Sequence, residues 1–134
     1  MLTELALAVV LAVHTGPATG PERCADAATP AELQRCLQRE LAQADSLLKA
    51  AETRFARALP TDAARAQFGV AGRAWRNYRE HECRAQAARH EGAPTGARTY
   101  GTCRIALSEA RLRLLDEGVT PAAPASDSTA TPAS

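Results

Sequence analysis

Arg73-Ala-Trp-Arg-Asn-Tyr-Arg-Glu-His-Glu-Cys83 is the stretch that decides how this chain folds. It places the single tryptophan, Trp75, beside a tyrosine, several arginines and a cysteine within three helical turns. Together with Phe68 upstream, its apolar residues recur at steps of three and four, which predicts an amphipathic α-helix. We expect this helix to begin after Pro60 and to end near Pro94, because Pro and Gly interrupt helices at both places.

A second helix is predicted before this stretch and a third after it. Thr29-Pro30-Ala31-Glu32 has the form of a capping box, with proline at the first helical position. The third helix is expected to end before Gly118, and no segment alternates with the period of a strand. The sequence therefore predicts an all-α fold, a small three-helix up-down-up bundle. The apolar stripe of the first helix consists of Leu33, Leu37, Leu41, Ala44, Leu48, Ala51 and Phe55.

Four cysteines, Cys24, Cys36, Cys83 and Cys103, predict two disulfides on this small scaffold. Cys36 lies 24 residues before Pro60 and Cys83 lies 23 after it, so antiparallel helices would bring them to the same height. We favour Cys36–Cys83 with Cys24–Cys103, and Cys24–Cys36 with Cys83–Cys103 is the close alternative. A four-cysteine zinc site is disfavoured because no Cys-x-x-Cys pair is present.

The two ends of the chain differ in composition from the part between them. Residues 5–13 form a nine-residue apolar run followed by small residues, which predicts a signal peptide over 1–18 rather than a membrane span. Residues 119–134 are rich in Pro, Ala, Ser and Thr and are expected to be a disordered tail. One helical domain over 19–118 remains. We expect a secreted or periplasmic protein without stable membrane insertion after signal cleavage.

The formal net charge is +1, and the arginines alternate with Glu and Gln rather than forming a basic block. This pattern disfavours nucleic acid as a partner. Glu80 and Glu82 resemble the paired carboxylates of a glycosidase, but residues two apart on a helix point about 200° away from each other. His81 and His90 lack a third ligand. We therefore expect no catalytic residues, no metal and no cofactor, and we do not expect an enzyme.

The cysteines and the Trp-x-x-Tyr-Arg-x-x-x-Cys element together resemble the lysozyme inhibitor LprI-like family of secreted bacterial proteins. The resemblance covers roughly residues 24–115, and Gly72 stands where the family pattern has a glutamine. It implies a four-cysteine helical domain that binds a protein partner, and lysozyme is the partner that the resemblance suggests. The positions that match the family pattern are Cys24, Thr29, Cys36, Asp45, Leu47, Trp75, Tyr78, Arg79, Cys83, Gly92, Cys103 and Arg111.

Five of these matching residues are expected to form a structural motif: Asp45, Trp75, Tyr78, Arg79 and Arg111. Trp75 and Tyr78 lie on the apolar stripe and are expected to fill the seam between helices, with a partner-facing aromatic anchor as the alternative. Arg79 and Arg111 are expected to pair with carboxylates such as Glu40 or Asp45, and structural pairing is favoured over ligand recognition.

The function implied by the resemblance is inhibition by occlusion, in which a rigid helical face blocks the sugar-binding cleft of a lysozyme. Lysozyme clefts work through carboxylates, so Arg76, Arg84 and Arg98 are the candidate partner-binding residues. The alternative is an envelope interaction or stress module that inhibits nothing. A small hydrolase that uses Glu80 or Glu82 is the weakest hypothesis.

Overall fold

The computed structural model describes residues 23–90 and 94–119, which form three helices: α1, Pro30–Ala58; α2, Asp62–Ala87; and α3, Thr95–Val119. No strand occurs within these two ranges, so the predicted all-α bundle is confirmed. The predicted signal peptide lies outside the described residues. The predicted tail also does, apart from Val119, which ends α3.

The starts of α1 and α2 follow from side-chain capping. The Thr29 hydroxyl accepts a hydrogen bond from the Glu32 amide at 3.2 Å, and the Glu32 carboxylate accepts from the Thr29 amide at 3.1 Å. This reciprocal pair is the predicted capping box, which satisfies amides that have no partner inside the helix. At the start of α2 the Thr61 hydroxyl accepts from the Ala64 amide at 3.1 Å. Pro60 separates the two helices as predicted.

α3 packs along both other helices, whereas α1 and α2 touch each other at few points. α1 and α3 run in the same direction, and glycines allow them to approach closely at both ends. A Cβ atom on Gly101 would lie 2.8 Å from a methyl carbon of Leu37, and one on Gly118 would lie 3.1 Å from the Phe55 ring. α3 therefore continues through Gly118 instead of ending before it, because that glycine serves packing and not termination.

The disulfides are Cys24–Cys36 and Cys83–Cys103, with Cα–Cα distances of 5.9 and 5.5 Å. The favoured pairing of Cys36 with Cys83 and of Cys24 with Cys103 was wrong, and the close alternative is correct. The physical reason is the open side of the bundle between α1 and α2. Cys36 bonds to the segment that precedes α1, while Cys83 bonds to α3, the helix against which α2 packs. Both cross-links lie at the same end of the bundle.

The apolar core is divided into two clusters. One contains Leu33, Leu37, Ala44 and Ile105, and the other contains Leu48, Ala51 and Leu115. Asp45 of α1 and Ser108 of α3 fall between the two clusters along their helices. Arg79 of α2 reaches these two residues and is itself buried. A polar layer thus crosses the middle of the bundle and joins all three helices.

The segment before α1 is held by charged contacts as well as by its disulfide. Arg23 pairs with Glu40 of α1 at 2.7 Å and with Glu109 of α3 at 2.8 Å. Arg98 donates to the carbonyl oxygens of Arg23 and Cys24 at 3.1 and 3.3 Å. These contacts place residues 23–28 firmly against the cross-linked end of the bundle. None of the helices in the described ranges is long and apolar enough to cross a bilayer.

Candidate partner-binding site

The polar layer brings together two of the residues singled out from the sequence, Asp45 and Arg79, and adds Ser108. Arg79 Nη1 lies 2.6 Å from Asp45 Oδ1, and the same nitrogen donates to the Ser108 hydroxyl. The Ser108 oxygen in turn lies 3.0 Å from Asp45 Oδ1 and 2.9 Å from the Arg104 carbonyl oxygen. The expected pairing of Arg79 with Asp45 is therefore present. The Arg79 side chain is only 10% exposed, so its guanidinium group serves contacts within the protein and is not available to a partner.

A second polar node lies about two turns further along α1, around Glu52. Its two carboxylate oxygens separately contact Arg111 of α3 at 3.1 Å and Arg76 of α2 at 2.5 Å. Arg111 thus pairs with a carboxylate as expected, but the carboxylate is Glu52 and not Glu40 or Asp45. Gly72 gives the arginines room, since a Cβ atom there would lie 3.2 Å from Arg76 Nη1. Glu52 was missed because nothing in its sequence neighbourhood distinguishes it from other charged residues on α1.

Trp75 lies between these two nodes and is covered by arginines. The guanidinium carbons of Arg79 and Arg111 lie 5.0 and 4.9 Å from the centre of its ring, within the range of cation–π attraction. Trp75 also packs against the cluster around Leu48. These contacts favour the packing interpretation of Trp75 over the partner-facing anchor.

Tyr78 does not fill the seam between helices, and that prediction was wrong. Its surface is 53% exposed. The buried face of α2 contains Gly72, Arg79 and Cys83. The buried residue that follows Trp75 on this face is therefore Arg79, four positions later. Tyr78, three positions after Trp75, lies at the edge of the face. The alternative reading, an aromatic side chain available to a partner, fits Tyr78 better than Trp75.

The three arginines expected to face a partner are in different environments. Arg84 pairs with Glu80 at 2.7 Å, and 68% of its side chain remains exposed. Arg76 keeps half of its side chain exposed despite its contact with Glu52. Arg98 is partly buried and is committed to the carbonyl oxygens of the segment before α1. Arg84 and Arg76 are therefore accessible, whereas Arg98 has a structural role.

Glu80 lies at the centre of a cluster between α2 and α3. The Tyr100 hydroxyl lies 2.7 and 2.8 Å from its two carboxylate oxygens, and Arg104 Nε lies 3.8 Å from one of them. The hydrogen bond from Tyr100, with the charges of Arg84 and Arg104, lowers the pKa of Glu80 against the opposing effect of burial. A carboxyl group that acts as a general acid needs a raised pKa, so this environment disfavours the hydrolase hypothesis.

The other groups considered for chemistry are not assembled into a site. Glu82 accepts a hydrogen bond from Gln86 at 2.8 Å on the same helix. Within residues 23–90 and 94–119, no three His, Cys, Asp or Glu side chains are grouped so as to hold a metal ion. All four cysteines are in disulfides. In the described residues, the ion pairs of the charged groups mainly join one helix to another.

Two depressions on the surface of the bundle are lined in part by α1. The first, about 360 Å³, is polar and lies over the Glu52 node between α1 and α2, where Asp45, Trp75, Arg76 and Arg79 line it. The second, about 410 Å³, is apolar and lies between the N-terminal halves of α1 and α3. We call it the α1–α3 groove; its lining includes Leu33, Leu37, Leu41, Ala97, Tyr100 and Arg104. The groove was not predicted from the sequence, because the leucine stripe of α1 does not show which of its residues another helix leaves uncovered.

Comparison with known protein families identifies a match to this chain. A family model described as "Lysozyme inhibitor LprI" matches residues 23–115, which include all three helices almost completely and all four cysteines. No curated protein and no solved structure shows significant similarity to the chain. The matched region contains both disulfides, the polar layer and the α1–α3 groove. This chain therefore belongs to the lysozyme inhibitor LprI family.

Proposed function

We propose that this protein is an exported, non-enzymatic inhibitor that binds a lysozyme and blocks its sugar-binding cleft by occlusion. The observation that carries the proposal is the family match over residues 23–115. The cross-linked helical body supports it, because a small rigid scaffold loses little conformational freedom when it binds a partner. The described groups that bear charge mainly pair with one another, which suits a docking body better than a catalyst.

Export is part of the same proposal. Both disulfides fit an oxidising compartment, either the periplasm or the extracellular medium, where such bonds persist. Residues 1–18 would be the signal peptide and residues 19–118 the helical domain, followed by the tail at 119–134. Mass spectrometry of the protein recovered from an exporting host would test this division. A mature chain that still begins at Met1 would contradict it.

On the inhibitor, the accessible arginines Arg76 and Arg84 are the groups we assign to the partner interface. Their guanidinium groups would reach carboxylates of the lysozyme cleft, where one ionised and one protonated carboxyl group perform hydrolysis. Reversing the charge of Arg84 should weaken inhibition, and the loss should diminish as salt is added, because exposed charges are screened. Arg73→Glu is the matched control on the same helix, since Arg73 is exposed and forms no ion pair in the described ranges.

The decisive experiment measures lysis of bacterial cell walls by a c-type lysozyme in the presence of the oxidised mature protein. We expect slower lysis at micromolar concentrations of inhibitor. A soluble oligosaccharide that occupies the lysozyme cleft should compete with the protein if occlusion is the mechanism. Unchanged lysis, with the protein shown to be folded by circular dichroism, would reject inhibition and favour the envelope interaction module instead.

A further inference from the structure

The α1–α3 groove has the composition of a binding site for an apolar side chain. Leu33 and Leu37 are almost fully buried along it, Leu41 is partly exposed, and Ala97 and the Tyr100 ring lie on the α3 side. Its volume of about 410 Å³ falls in the range of sites that enclose small ligands or the anchoring side chains of a partner. No Asp or Glu contributes to the lining.

Arg104 gives the groove a positive charge that the fold does not fully neutralise. Its Nε atom is buried without a hydrogen-bond partner in the described residues, and the nearest carboxylate oxygen, on Glu80, is 3.8 Å away. That carboxylate already accepts from the Tyr100 hydroxyl and pairs with Arg84. One negative charge therefore lies between two arginines. The Arg104 side chain is still 26% exposed, so an occupant whose carboxylate reaches the accessible part of this guanidinium group would gain a charge-assisted contact.

The rim of the groove favours a protein segment over a simple lipid. Gln34 and Gln38 line it one helical turn apart, and both are exposed. Each amide side chain offers both donors and an acceptor, as the N–H and C=O groups of a peptide backbone require. A fatty acid would fill the apolar part and meet Arg104, but it has no groups for the two glutamines.

We propose that the α1–α3 groove docks a segment of the protein partner that presents apolar side chains beside a carboxylate. The inference rests on the proposed function, because that function supplies the partner, and it names the surface that the partner covers. The apolar side chains would pack on Leu33, Leu37 and Leu41. The carboxylate would meet Arg104, and the backbone would run along the glutamines. Lysozyme would then be held at the cross-linked end of the bundle.

Two substitutions test the groove without disturbing the core. Ala97→Trp fills the groove from an exposed position, and Arg104→Gln removes its charge. The matched controls are Ala106→Trp and Arg113→Gln, both at exposed positions of α3 outside the groove. With all four variants shown to melt cooperatively, we expect the two groove variants to bind lysozyme at least tenfold more weakly than the wild-type chain. The controls should stay within twofold. Equal binding by all variants would overturn the groove while leaving the inhibitor function intact.

A second measurement separates failure of the groove from failure of the function. If the wild-type chain does not bind lysozyme, a displayed library of random peptides is selected on the oxidised wild-type protein and counter-selected on the Ala97→Trp variant. Enrichment of peptides that combine apolar residues with Asp or Glu would support the groove with another partner. No enrichment over the variant, or binding of laurate alone that Ala97→Trp abolishes, would refute the docking of a protein segment.

Discussion

The polar layer makes a strong prediction about stability. Arg79→Met should destabilise the protein because the substitution leaves Asp45 and Ser108 without their buried donor while keeping most of the side-chain volume. Removing one partner of a buried ion pair costs roughly 3–5 kcal/mol. The Asp45 side chain is 40% exposed, so water would replace part of the lost interaction. Loss of the cation–π contact with Trp75 adds about 0.5–1 kcal/mol. We therefore expect the free energy of unfolding to fall by about 2–3 kcal/mol in total.

Thermal and urea unfolding of the oxidised protein, followed by far-ultraviolet circular dichroism, measures this change. For a domain of this size, the expected loss corresponds to a fall in Tm of about 10–20 °C. Arg73→Met is the control on the same helix and should change the free energy of unfolding by less than about 0.5 kcal/mol. A double-mutant cycle with Asp45→Asn isolates the interaction free energy between Arg79 and Asp45. If Arg79→Met is as stable as the control, the polar layer does not hold the helices together.

Three further changes should have distinct effects. Gly101→Ala should lower the free energy of unfolding by about 1–3 kcal/mol, because the added methyl group collides with Leu37 of α1. Gly69→Ala should instead raise it by about 0.5–1 kcal/mol, because alanine favours the helix and its methyl group has room. Urea titration measures both changes. The pKa of Glu80 is lowered in the folded state, so its ionised form stabilises the fold fully at pH values above the ordinary carboxyl pKa. This stabilisation is lost as the pH falls through the lower folded pKa. The stability difference between the wild type and Glu80→Gln should therefore shrink in acid. Replacing Cys83 and Cys103 together by serine should cost about 3 kcal/mol, while peptide mapping under non-reducing conditions should still recover the other disulfide.

Each of these results has an outcome that would contradict it. A Gly101→Ala protein as stable as the wild type would mean that α1 and α3 separate easily at that point. A stability difference for Glu80→Gln that stays constant from neutral pH to about pH 2 would show that the carboxylate is not stabilised by its neighbours in the folded state. Free thiols at Cys24 and Cys36 in the variant with serine at positions 83 and 103 would contradict the disulfide assignment.

The features that could be predicted from the sequence are those decided by local chemistry. The capping box at Thr29 and the interruption at Pro60 depend on residues a few positions apart, and both are present as expected. The pairing of Arg79 with Asp45 was also among the expectations. The capping box and the interruption at Pro60 need no knowledge of how the helices are arranged in space, whereas the Arg79–Asp45 pair joins α2 to α1.

The disulfide pairing and the exposure of Tyr78 could not be derived in the same way. Counting residues from Pro60 gives the height of Cys36 and Cys83 along their helices, but it does not reveal that α1 and α2 stand apart. The apolar stripe of α2 allows steps of three or four, and a buried arginine at position 79 took the place that an aromatic residue was expected to fill. Which groups share the Glu52 node depends on the same spatial arrangement.

The cross-links are confined to one end of the bundle, and this has a consequence for its motions. At the other end, near Pro60, no disulfide joins the helices. Apart from the chain connection between α1 and α2, noncovalent contacts hold this end together, such as the Phe55–Phe68 ring pair at 4.9 Å and the exposed Arg54–Asp116 ion pair at 2.9 Å. Local opening should therefore begin there, and backbone amides near Pro60 should exchange with solvent deuterium sooner than those beside the cysteines. The α1–α3 groove lies at the slowly exchanging end, so its shape persists through fluctuations that loosen the opposite end.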